Sequence, residues 1–250
     1  MFRYRIRTPL RRPQPGGRKS RRAGESLDFM ELRGYAPGDD PRFVDWKAYA
    51  RTGRLYTRVW EGEERVRFTL WLDGSPSMRL FGKEDFAREV ARVLLAAALP
   101  DETHALGAGS LRRLRSPLEL RRYAADARGP AAARTELAHA RGQLLLVTDG
   151  LDETDWAALL RRLAPRRPLL VQVLAPEELD PPPRAEEWRD VETGERVHVD
   201  AAALRAWRKA LAAHLRTLQR AAAAYGGYAH LRVGEPIVPA LRRQGVLEWR

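Results

Sequence analysis

Arg67-Phe68-Thr69-Leu70-Trp71-Leu72-Asp73-Gly74-Ser75-Pro76-Ser77-Met78 is an apolar run that stops at an acid and continues with two hydroxyls at alternate positions. A strand that ends at Leu72 leaves Asp73 at the carboxyl edge of a sheet. Gly74 and Pro76 then turn the chain so that Ser75 and Ser77 face back toward the carboxylate. A second edge of the same kind follows at Gln143-Leu144-Leu145-Leu146-Val147-Thr148-Asp149-Gly150. If the two strands are parallel neighbours, Asp73 and Asp149 point into one crevice. Mg²⁺ favours oxygen ligands and keeps several waters, so one or two carboxylates with hydroxyls form a credible site. Each half also has a plainer reading, because Asp-Gly after an apolar strand serves a turn; the pairing is what raises the site reading above it.

Asp73-Gly74-Ser75-Pro76-Ser77 resembles the Asp-x-Ser-x-Ser motif of von Willebrand factor A-like domains, and Val147-Thr148-Asp149-Gly150 resembles their later Thr-Asp-Gly loop. The resemblance implies a metal-ion-dependent adhesion site. Ser75 and Ser77 would ligate Mg²⁺, or another divalent cation such as Mn²⁺ or Ca²⁺. Asp73 and Asp149 would act largely through bound water, and an intermediate Thr, best matched by Thr135, would complete the protein's share. Thr135 also reads as a helix N-cap.

Upstream, Arg33-Gly34-Tyr35-Ala36-Pro37-Gly38-Asp39-Asp40-Pro41-Arg42-Phe43-Val44-Asp45-Trp46, with Ala50-Arg51-Thr52-Gly53-Arg54-Leu55, Glu61 and Glu64, resembles the signature of a bacterial family of unknown function, the DUF family numbered fifty-eight. Leu174 to Pro181 and Asp190 to Glu195 resemble its later elements. That resemblance implies an attached von Willebrand A-like domain and, as partner, a MoxR-type AAA+ ATPase acting in protein maturation or remodelling. On the residues themselves, either Asp39, Asp40 and Asp45 with Trp46 form a partner-binding or bracing segment, or Pro37 to Asp40 is a turn with Trp46 anchoring it on the core.

The 250 residues, 44% hydrophobic, are enough for one substantial core. The expected organisation is a basic, flexible arm over 1–24, a signature segment with an edge strand over 25–64, and an α/β domain over 65–250 with a hairpin insertion near 188–199. Leu55 to Trp60 and Val66 to Leu72 read as a hairpin feeding the central strand. Glu84 to Leu99 and Asp155 to Leu163 read as helices, with further short helices over Leu118 to Ala127 and Thr135 to Ala140. Leu169 to Leu174 reads as a strand, and about Ala201 to Tyr225 as a long helix stopped by Gly226-Gly227. The rhythm predicts a Rossmann-like, mostly parallel sheet with helices on both faces.

Cysteine is absent, which removes disulfides and thiolate metal sites and favours a cytoplasmic location. His104, His139, His198, His214 and His230 are scattered, and no Gly-x-Ser-x-Gly elbow or Gly-x-x-x-x-Gly-Lys phosphate loop occurs. The formal net charge is +12, and nine basic residues with no acid fall between Met1 and Gly24. Such an arm can make weak contact with anionic lipid or nucleic acid, or be a solvated tail. Phe2, Tyr4 and Ile6 alternate with arginines, so the first residues also fit a strand.

The leading expectation is a metal-dependent protein-binding module and not an enzyme. An alternative is a phosphatase of the haloacid-dehalogenase type, whose strand also ends in Asp; it needs an acid two residues later, where Ser75 stands. An electrostatic scaffold acting through the arm is the remaining alternative.

Overall fold

The computed structural model describes residues 3–7, 28–37, 39, 41–61, 66–99, 101–107, 110–116, 118–119, 129–181, 186–191 and 193–249. In chain order the strands are β1 (Tyr4–Ile6), β2 (Asp28–Gly34), β3 (Tyr56–Glu61), β4 (Arg67–Leu72), β5 (Glu102–Gly107), β6 (Ser110–Leu114), β7 (Gln143–Thr148), β8 (Leu169–Leu174), β9 (Glu186–Arg189), β10 (Arg196–Val199), β11 (Gly227–Arg232) and β12 (Leu247–Trp249). The helices are α1 (Trp46–Thr52), α2 (Lys83–Ala98), α3 (Gly129–His139), α4 (Trp156–Leu163), α5 (Pro176–Leu179), α6 (Ala201–Tyr225) and α7 (Ile237–Arg243). The chain divides into two compact units, Met1–Arg7 with Val66–Arg250, and Thr8–Arg65.

In the larger unit, β4, β7 and β8 are apolar over nearly their whole length, so they need partners on both edges and cover on both faces. They obtain both. The six-stranded sheet runs β11-β8-β7-β4-β5-β6, parallel throughout except where β6 returns antiparallel to β5. Side chains alternate along each strand. Phe68, Leu70, Leu72, Val147 and Val171 join Val90, Leu94 and Leu95 of α2 and Leu241 of α7 on one face. Trp71, Leu144, Leu146 and Leu170 join Leu137 of α3, Trp156 and Leu160 of α4 and Leu218 of α6 on the other. This is a mixed α/β fold with helices on both sides of a mostly parallel sheet.

The hairpin read between β3 and β4 is not formed. β3 pairs antiparallel with β2 in the smaller unit, while both edges of β4 are taken by β5 and β7. The two runs are sequence neighbours, but β4 is buried on both faces and belongs at a sheet centre. Leu106 and Leu111 fall in two different strands, β5 and β6, where they form an antiparallel register pair. The first residues take the strand alternative: β1 pairs with β12, and Arg242 lies 5.3 Å from the ring centres of both Tyr4 and Trp249. Residues 3–7 are therefore not part of a flexible arm; 8–24, Gly62 to Glu64 and 120–128 lie outside the described residues. The hairpin near 188–199 is β9 and β10, with Trp188 edge-on to Trp207 of α6 at 5.6 Å.

The smaller unit is built on the signature residues. Arg33 donates to both Asp39 oxygens, at 2.7 and 2.8 Å, and Asp39 Oδ2 also accepts from Thr57 Oγ1 and the Ala36 N–H. The Ala36 N–H leads in holding this carboxyl below its ordinary range, joined by Arg33 and Thr57. Asp45 caps α1 by accepting from the Ala48 N–H at 2.9 Å. Bracing and turn chemistry thus both apply, but Trp46 is no core anchor: it is 61% exposed, edge-on to Tyr49 at 6.2 Å.

One tight point fixes the start of β7. Gly142 has φ +79°, and a Cβ there would stand 2.0 Å from the Arg67 carbonyl oxygen. Gly142→Ala combines left-handed strain with a backbone clash. It is expected to cost roughly 2–4 kcal/mol, seen as a fall in the urea midpoint with unchanged slope.

Candidate metal centre

β4 is the strand from which the chain departs to β5 on one side and later returns as β7 on the other, so a crevice opens at the carboxyl ends of β4 and β7. Leu72 and Val147 are the last register pair, and the Asp73 N–H extends the ladder by donating to the Val147 carbonyl at 2.9 Å. Asp73 and Asp149 therefore leave adjacent parallel strands at the same edge. Both are almost completely buried.

The local chain explains the hydroxyl positions. Asp73 Oδ1 accepts from the Ser75 N–H at 2.9 Å, an Asx-type turn. Pro76 then opens a short 3₁₀ turn, anchored by the fully buried Met78, whose N–H donates to the Ser75 carbonyl. The result sets Ser75 Oγ and Ser77 Oγ 3.2 Å apart. Asp73 Oδ2 accepts from Thr148 Oγ1 at 2.6 Å, and that hydroxyl accepts from the Gly150 N–H at 3.0 Å. Gln172 of β8 donates to the Asp149 carbonyl at 2.6 Å and accepts from the Tyr228 hydroxyl of β11 at 2.7 Å. The Thr-Asp-Gly loop is thus tied to two further strands.

Burial pushes the Asp73 carboxyl up to about 6, helped by the nearby charge of Asp149 and only partly offset by Thr148 and the Ser75 N–H. A carboxylate shifted this way lacks a counter-charge.

Sequence reading missed Lys83 and Glu178. Lys83 is fully buried; its Nζ donates to Asp149 Oδ2 at 2.6 Å and to Glu178 Oε1. Glu178 follows β8 on α5, and its Oε2 accepts from the Ala175 N–H at 2.9 Å. Burial raises its carboxyl above the ordinary range, with Lys83 opposing. A signal existed in the sequence. Lys83 opens α2 immediately after Gly82, at the helix end where the dipole disfavours a cation.

Thr135 stands apart. It is exposed on α3, and its carbonyl is 2.7 Å from His139 Nδ1. The α3 residue beside the site is Gly129, where a Cβ would lie 3.9 Å from Ser75 Cβ. Six residues at 1.5 Å rise carry Thr135 about 9 Å along the axis from there. No hydrogen bond joins it to Asp73, Ser75, Ser77 or Asp149, and because α3 begins at Gly129 it is not an N-cap either.

Of the acids after Asp149, Asp155 caps α4 through the Ala158 N–H at 2.9 Å, and Asp152 accepts from Trp156 Nε1 at 2.9 Å. These are structural roles.

Among the described residues, no three His, Asp or Glu side chains form a metal cage. The donor set for an ion at this edge would instead be two hydroxyls and two carboxylates, Ser75, Ser77, Asp73 and Asp149. Adjacent oxygens around Mg²⁺ at 2.0–2.1 Å lie about 3 Å apart, close to the Ser75–Ser77 spacing. Two buried carboxylates, Asp73 and Asp149, and the partly buried Glu178 are accompanied by one ammonium, Lys83, which pairs with Asp149 and Glu178, so the ionised cluster carries two excess negative charges, the complement of a divalent cation. The residues present fit such an ion.

Residues 31–110 match the family model described as Protein of unknown function DUF58. An uncharacterized protein of Mycobacterium bovis is 30% identical over 195 residues, covering 68% of this chain and 58% of the relative. Uncharacterized proteins from two strains of Mycobacterium tuberculosis match to the same extent. The chain thus spans 58% of the length of these relatives. No solved structure matches it. Among the described residues, no helix is long and apolar enough to cross a membrane.

Proposed function

We propose that the chain is a DUF58 member whose larger unit is a von Willebrand factor A-like domain, and that it is a metal-dependent protein-binding module. The observation that carries this reading is the Ser75–Ser77 hydroxyl pair, 3.2 Å apart, beside Asp73 and Asp149 at one sheet edge. Ser75, Ser77 and the two carboxylates would hold Mg²⁺. Bound there, the ion supplies Lewis acidity toward an incoming Asp or Glu of a partner. The chain's own residues bury the carboxylates, aim the two hydroxyls through the Asx turn, and tie the Thr148–Gly150 loop to β8 and β11. An acid two residues after Asp73 would favour phosphoryl transfer; Ser75 stands there and lacks a useful pKa for proton transfer.

The partner proposed from the family resemblance is a MoxR-type AAA+ ATPase. The ATPase itself uses Mg²⁺ with its nucleotide, so a chelator would disturb both proteins. Variants are the cleaner test. In constant Mg²⁺, fluorescence anisotropy of labelled chain titrated with such an ATPase from the same genome should show binding that Ser75→Ala and Ser77→Ala each weaken at least about tenfold, the loss of one charge-assisted contact. Equal binding by the folded double variant would move recognition to another surface, with the exposed Trp46 and Tyr49 as the first place to look.

A further inference from the structure

Lys83 and Glu178 take no part in the hydroxyl–carboxylate set, yet they are tied to it through Asp149. Lys83 Nζ holds Asp149 Oδ2 at 2.6 Å, and the Leu151 N–H donates to Asp149 Oδ1 at 3.1 Å, so both carboxylate oxygens are engaged from the protein side. Among the described residues, the ammonium hydrogen-bonds to Asp149 and Glu178 only. It makes no hydrogen bond to Asp73, Ser75 or Ser77. A buried Lys–Asp pair extended to a partly buried Glu contributes little stability relative to apolar side chains of similar volume. Its presence against the metal site therefore calls for a role there.

We infer that Lys83, held by Glu178, is a positioning residue that keeps Asp149 from ligating the ion directly, so that the site takes a small, water-retaining cation, Mg²⁺, in preference to Ca²⁺. This rests on the metal reading above. Ca²⁺ gains its affinity from six to eight oxygens, often with a carboxylate binding through both, whereas Mg²⁺ keeps several waters and needs few protein oxygens. An Asp149 clamped at both oxygens denies Ca²⁺ what it needs and costs Mg²⁺ little. Glu178 gives the clamp its neutrality. With Lys83 and Glu178 cancelling, the two negative charges of Asp73 and Asp149 remain for the ion.

That cancellation provides the control. The double variant Lys83→Met/Glu178→Gln removes one positive and one negative charge, so the net charge of the cluster is unchanged while Asp149 is released. With Mn²⁺ as the paramagnetic probe, displacement by Mg²⁺ and by Ca²⁺ gives the ratio of their affinities in wild type and double variant. Release of Asp149 should raise Ca²⁺ affinity relative to Mg²⁺ at least about tenfold, one carboxylate ligand gained. An unchanged ratio in a double variant that still binds Mn²⁺ overturns the inference and leaves the metal reading standing. A wild type that binds no Mn²⁺ overturns both. Should the double variant lack a cooperative melt, water-proton relaxation of Mn²⁺ bound to wild type decides: about three or more exchanging waters support the clamp, and one or none overturns it.

Discussion

Lys83→Met, made alone, should lower stability by about 3–5 kcal/mol, because it leaves the buried Asp149 and the partly buried Glu178 without their shared cation. For a chain of this size that is a fall in melting temperature of roughly 6–20 °C. Adding Glu178→Gln should recover much of the loss, since one of the two orphaned charges disappears. Acidification should narrow the deficit as well. Burial has already raised the Glu178 carboxyl, and loss of Lys83 removes the charge that opposes the shift, so the variant's Glu178 takes up a proton readily as pH falls. Urea titrations of the single and double variants at pH 5 and pH 7.5 check this; equal deficits at both pH values would contradict it.

Asp73 produces the second large effect, and its sign follows from its shift. The folded-state carboxyl is pushed up to about 6 from 3.8, so between those values the native state holds a proton that the unfolded chain releases. The stabilisation from this proton is fully present below pH 3.8 and is lost as pH rises through about 6. At neutral pH the ionised, metal-free Asp73 costs up to about 3 kcal/mol. In chelator, Asp73→Asn should therefore be more stable than wild type at pH 7.5 and lose that advantage near pH 4. On the proposed reading, Mg²⁺ would compete with the same proton. The thermal shift it gives wild type should be largest above pH 6.5, and the affinity should fall about tenfold per pH unit below about 6. A Mg²⁺ shift independent of pH from 5 to 8 would place the ion elsewhere.

The part of the fold legible in the sequence is the part written as long apolar runs. β4, β7 and β8 and the periodic helices α2, α4 and α6 lie within a residue or two of where the pattern puts them, because burial on both faces leaves such strands one kind of place. Pairing was less legible. The β3 run looked like the hairpin partner of β4 only because it precedes it, while its real partner, β2, lies in a signature segment whose turn residues masked its strand character. β12 was hidden by its length of three residues.

The site divides in the same way. Asp73, Ser75, Ser77 and Asp149 are spaced by strand and turn chemistry that local sequence encodes, and they meet at one edge. Lys83 and Glu178 come from different elements, 66 and 29 residues from Asp149, and only the tertiary fold joins them. Thr135 stands apart for the converse reason. Its sequence neighbourhood matched a motif, but α3 starts six residues earlier and carries it outward.

The most direct test of the central claim is an isothermal titration of Mg²⁺ into the metal-stripped chain at pH 7.5, run beside the Ser75→Ala/Ser77→Ala variant with both melts recorded. The account predicts one saturable site in wild type and a loss of at least about tenfold in affinity in a variant that melts cooperatively. Absence of saturable binding in wild type, or equal binding in the two, would contradict it.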